Sequence, residues 1–77
     1  MRREDFFNLI ITRCALEDKE SITPETQTKI TQWDSLDVIT LLSLFKQYCN
    51  MTVSIDTLEQ CNSFNDILDL AGNKYEN

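Results

Sequence analysis

The sequence predicts an all-α fold, a small four-helix bundle of three longer helices and one short one with a long first loop. Three observations lead there. One glycine and one proline in 77 residues leave little material for tight hairpin turns. Apolar side chains recur at spacings of three and four rather than two. Capping residues stand directly before the second and the last apolar runs. A hydrophobic fraction of 42% suits a globular chain. A chain this short supports one domain, 1–77, around one modest core.

The first helix is expected from about Arg3 to Leu16. Phe6, Ile10 and Cys14 stand four apart there, with Phe7 and Ile11 alongside, which makes one apolar stripe. Residues 17–33 break the pattern. Glu17 to Ser21 is polar, Thr23-Pro24 disfavours continued helix, and Thr26, Thr28 and Thr31 are β-branched. Ile22, Ile30 and Trp33 are spaced through this stretch, so it is expected to be a loop pinned by those three anchors.

A second helix starts at Asp34-Ser35, where either residue can cap the first turn and Asp37 adds charge favourable to the helix dipole. From Leu36 to Cys49 the run offers Leu36, Ile39, Leu42, Phe45 and Cys49 along one face, widened by Val38, Leu41, Leu44 and Tyr48. This helix is expected to be central and buried on much of its circumference. A short piece, Ile55 to Cys61, should turn Ile55, Leu58 and Cys61 inward. The last helix starts at Ser63, where Ser63-Phe64-Asn65-Asp66 resembles a capping box with Asp in place of Glu. Phe64, Ile67, Leu68 and Ala71 form its core face, and Gly72 is its expected stop.

The net charge is −6 and unevenly spread. Residues 1–33 hold five basic and six acidic side chains, a balance of −1; residues 34–77 hold two and seven, a balance of −5. That acidity argues against nucleic acid and anionic membrane as partners and favours proteins with basic patches. Arg2, Arg3, Glu4 and Asp5 precede only a short apolar stretch, so neither a secretory leader nor a membrane span is expected. Cys14, Cys49 and Cys61 are odd in number and unpaired in spacing, which suggests free, buried thiols and a cytoplasmic location. With no histidine in the chain, neither a metal site nor a catalytic Cys–His pair is expected, and an enzyme is disfavoured.

The chemically informative stretch is Trp33-Asp34-Ser35-Leu36-Asp37. A serine in the first turn of a central helix can present its Oγ to solvent. The free N–H groups and the dipole of that turn favour a phosphate attached there. Leu36 is expected to turn inward and lock the turn, while Asp34 and Asp37 flank the serine with charge a basic partner can read. Trp33 is read first as loop packing.

This stretch resembles the prosthetic-group attachment motif of the acyl carrier and peptidyl carrier protein superfamily. The triplet Asp34-Ser35-Leu36 alone has low specificity, but its context is richer. Ile39, Leu41, Leu42, Phe45, Cys49 and Val53 are similar to the family's apolar positions after the motif. Ile55–Cys61 followed by Asn62-Ser63-Phe64 resembles its short third helix and the segment after it, and Ile22-Thr23-Pro24 resembles a feature of its first loop.

The resemblance implies a 4'-phosphopantetheine arm taken from coenzyme A by a separate phosphopantetheinyl transferase and joined to Ser35. Acyl or aminoacyl cargo would ride on the arm's thiol to loading and transfer enzymes. Asp34, Leu36 and Asp37 would serve partner recognition, and the carrier itself, a monomer, would hold no catalytic residue. One departure stands out. Thr40, Lys46 and Gln47 occupy outward places where the family's second helix usually carries acids, which points to a dedicated partner. The competing expectation is a helical interaction adaptor of the same fold without a prosthetic group.

Overall fold

The computed structural model describes residues 1–14 and 22–75. Among them are four α-helices: α1 (Arg3–Arg13), α2 (Ser35–Cys49), α3 (Ile55–Glu59) and α4 (Phe64–Asp69). Two 3₁₀ turns, Ile30–Gln32 and Gly72–Lys74, complete the order, and no strand is present among the described residues. The all-α expectation therefore holds. The length expectation does not: α1 and α2 run 11 and 15 residues, but α3 and α4 only 5 and 6. Two helices are long and two are short.

The first helix places Phe6, Phe7, Ile10 and Ile11 in the core, as its spacing predicts. Its regular part ends at Arg13, with Cys14 buried at the cap. The expected extension to Leu16 and the polar stretch Glu17–Ser21 lie outside the described residues. All three loop anchors pack inward: Ile30 is buried, and Ile22 and Trp33 lie half-buried against the core. The loop also pairs with the entry of α4. Gln27 and Ser63 form an isolated antiparallel bridge, and Thr28 N donates to Asn62 O at 2.9 Å.

The central helix α2 is corrected in its orientation. Leu41, Leu44, Phe45 and Cys49 are buried, and Val38 and Leu42 half-buried. Leu36 and Ile39, expected inside, are 75% and 57% exposed, and Tyr48 is also on the surface. The reason is geometric. A helix turns about 100° per residue, so each i+3 step slips back about 60°. The row Leu36, Ile39, Leu42, Phe45 therefore winds from solvent to core through about 180° rather than following one face. In α3, Leu58 and the following Cys61 are buried as expected, but Ile55 is 50% exposed. Ile55 opens the helix directly after its cap, Ser54, whose side chain accepts from Thr57 N.

At α4 the cap is Ser63, whose Oγ accepts from Asp66 N at 3.3 Å. The return contact differs from a full capping box, because Asp66 Oδ2 accepts from Asn62 N, one residue earlier. Phe64, Ile67, Leu68 and Ala71 are buried as predicted. Gly72 is not a left-handed stop: α4 ends at Asp69, and Gly72, without a positive φ, opens a 3₁₀ turn. The left-handed cap lies elsewhere, at Asn50 after α2, with φ 51° and ψ 41°.

Helix α1 packs on both α2 and α4, and α3 lies against the Ile30–Gln32 turn. Phe6 meets Phe45 edge-on at 5.1 Å between ring centres, and Phe7 meets Phe64 at 5.6 Å. Arg3 ties the start of α1 to α4 through Asp69 at 2.8 Å and Asn65 Oδ1 at 3.0 Å. The Cα radius of gyration is 11.3 Å. A compact domain of this length has a radius of about 11.5 Å. Among the described residues, no helix is long and apolar enough to cross a membrane.

Candidate functional site

Ser35 is the first residue of α2 and is exposed. Two features put it there. The turn Ile30–Gln32 buries Ile30 and brings the chain to Trp33, which is half-buried. The Trp33 indole N–H donates to Thr28 Oγ1 at 2.8 Å, and its ring lies 6.1 Å from that of Phe64. The packing role expected for Trp33 is therefore the one observed. Behind the turn, the buried Cys14 Sγ contacts Asp37 O at 3.7 Å, which joins the end of α1 to the first turn of α2.

The cap itself is a correction. Asp34 occupies the N-cap position with extended backbone, φ −65° and ψ 150°, yet no side chain caps the turn. Val38 N donates to Asp34 O at 3.1 Å, which begins the helical ladder. The three N–H groups before it, on Ser35, Leu36 and Asp37, have no acceptor among the described residues, nor has the Ser35 hydroxyl a partner. This is an uncapped helix mouth. Its aligned peptide dipoles and unused donors favour an anion at the Ser35 oxygen.

Around the serine, Asp34 is exposed and Asp37 half-buried, and neither forms an ion pair among the described residues. Leu36 does not turn inward. It lies exposed with Ile39 on the outer side of α2, an apolar pair beside the serine. Further along, Lys46 and Gln47 are exposed as expected, whereas Thr40 is half-buried and donates its hydroxyl to Leu36 O at 2.8 Å. Asp34, Ser35, Leu36 and Asp37 occupy the N-cap and first turn of α2, with Leu36 on the outer side rather than the inward one expected.

The thiols stand apart from this chemistry. Cys14, Cys49 and Cys61 are free and buried. Burial, followed by the Asp37 charge, pushes the Cys14 thiol up to about 12. Burial also raises Cys49 and Cys61. Thiols held protonated are poor nucleophiles. Among the described residues, no three His, Cys, Asp or Glu side chains gather in a metal-holding group.

One concavity was not legible in the sequence. Gln27, Thr28, Lys29, Gln32 and Asn62 line a groove of about 430 Å³. The loop–α4 pairing creates it by bringing Asn62 beside residues more than thirty positions earlier, and no local motif signals that approach. In comparisons with known proteins, no family model, no curated protein and no solved structure matches this chain.

Proposed function

We propose that this chain is a carrier: a small four-helix bundle that bears a 4'-phosphopantetheine arm on Ser35 and delivers acyl or aminoacyl cargo to partner enzymes. The observation that carries the reading is the Ser35 hydroxyl, exposed and without a partner, at the mouth of a 15-residue helix whose first turn no side chain caps.

The residues present suit such a group. A phosphodiester at Ser35 Oγ would face the free N–H groups of Ser35, Leu36 and Asp37 and the positive end of the helix dipole. When bound, the arm supplies a terminal thiol that holds cargo as a thioester. The chain supplies the rest: an oxygen nucleophile for loading, a rigid helix to hold it, and a surface for partners. It has no histidine to act as a base. The base that takes the Ser35 hydroxyl proton would belong to a separate phosphopantetheinyl transferase. Asp34 and Asp37 offer that enzyme negative charge, and Leu36 offers it an exposed apolar contact. Tethering raises the effective concentration of cargo at a partner's site, so a modest docking surface is enough.

The test is intact mass after incubation with coenzyme A and a broad-range transferase. A gain of one phosphopantetheine group is expected for the native chain and no gain for Ser35→Ala. A native chain that stays unloaded contradicts the proposal. A second reading, an adaptor with no prosthetic group, draws on the exposure of Leu36 and Ile39. Protein purified from its native host would then carry no added mass.

A further inference from the structure

We infer that the groove lined by Gln27, Thr28, Lys29, Gln32 and Asn62 is the resting cradle of the arm, an inference that rests on the carrier reading above. Size and reach both allow it. The groove measures about 430 Å³, inside the range of about 300–1,000 Å³ typical of small-molecule sites. Gln32, the lining residue nearest in sequence, lies three residues before Ser35, so their Cα atoms are separated by no more than about 11 Å.

The chemistry of the lining selects the occupant. A pantetheine chain is a string of two amides and a hydroxyl, each amide offering one N–H and one C=O. Gln27 and Gln32 are exposed, and their side-chain amides have no partner among the described residues, so each offers both donors and an acceptor. Thr28 Oγ1 accepts from Trp33, which leaves its own O–H to donate. Asn62 Oδ1 accepts from the Lys29 ammonium, which leaves the Asn62 side-chain N–H groups free to donate. The opposite choice, the exposed pair Leu36 and Ile39, has apolar side chains that offer the arm's amides no hydrogen bond.

The groove is held in shape before anything enters it. Thr28 N donates to Asn62 O, Phe64 N to Thr26 O at 3.2 Å, and Asn65 N to Pro24 O at 2.8 Å. A preformed wall lowers the ordering cost of docking. Exposed hydrogen bonds are individually weak, so the arm rests there and lifts away when a partner draws it.

The experiment compares the ¹⁵N-labelled protein before and after loading with coenzyme A and transferase. Side-chain amide resonances of Gln27, Gln32 and Asn62 should shift, with nuclear Overhauser contacts from the arm's amide protons to them. The double variant Gln27→Leu, Gln32→Leu should gain the arm's mass yet lose those contacts. Both positions are exposed, so the fold is not at stake. Loaded native protein that shows its shifts at Leu36 and Ile39 instead, or no contact from the arm to the groove, overturns the inference and leaves the carrier reading intact. A native chain that gains no mass overturns both.

Discussion

At the scale of single residues, Leu36 and Cys14 separate surface from core most sharply. Leu36 is a large apolar side chain left in water beside Ser35, so its removal should cost little stability. Leu36→Ala is expected to change unfolding free energy by less than about 0.5 kcal/mol. Leu41→Ala, on the buried side of the same helix, should cost about 2–5 kcal/mol. Urea unfolding of the two variants checks this, and equal losses would return Leu36 to the core. Cys14 gives a pH prediction. Its thiol rises from 9.0 to about 12 in the fold, first through burial and then through Asp37. Above pH 9.0 the unfolded chain releases the thiol proton while the folded chain keeps it. Its contribution is complete below that pH and is lost as pH rises toward 12. Cys49, Cys61 and Tyr75 are raised in the same direction, each first by burial. Unfolding free energy measured from about pH 8 to pH 11 should fall, and Cys14→Ala should shallow that fall.

At the scale of elements, the sequence reading located starts better than stops or faces. Serine and aspartate before an apolar run are a local signal of a helix start, and the starts at Ser35 and Ser63 follow it, although only Ser63 caps its helix through a side-chain oxygen. Faces depend on phase over several turns. An i+3 row reads as a stripe for two residues and then drifts, which misplaced Leu36 and Ile39 while Phe45 and Cys49 were placed correctly. Stops depend on backbone sign. Gly72 looked like a left-handed cap, but Asn50 has that role, with φ 51°. Asn tolerates the left-handed region that costs other side chains about 1–2 kcal/mol. Asn50→Ala is therefore expected to destabilise by about 1 kcal/mol and Asn50→Gly to be close to neutral, as read by thermal unfolding. Equal effects would mean the cap is set by something other than backbone conformation.

For the whole molecule, the core is built mainly from α1, α2 and α4, joined by Leu58 of α3 and by Ile30 of the loop turn that leads to Ser35, against which α3 is set. The proposed attachment site can be read from sequence because its signal is contiguous, Asp34 to Asp37. The groove was not, because Asn62 reaches Lys29 across 33 positions through tertiary pairing alone. Charge also acts at this scale. Residues 34–77 carry a balance of −5 out of the total of −6, a field that attracts a basic enzyme and is screened by salt. The kcat/KM of loading should fall as salt is raised, and Asp34→Asn should weaken that dependence; a flat profile would mean that charge does not steer the encounter. The central claim is that one hydroxyl is the attachment point. Its most direct test is tandem mass spectrometry of the loaded chain after proteolysis. The account predicts a single phosphopantetheine group on the peptide that carries Ser35, localised to that oxygen. A group found on Ser43, Ser54 or any other side chain would contradict it.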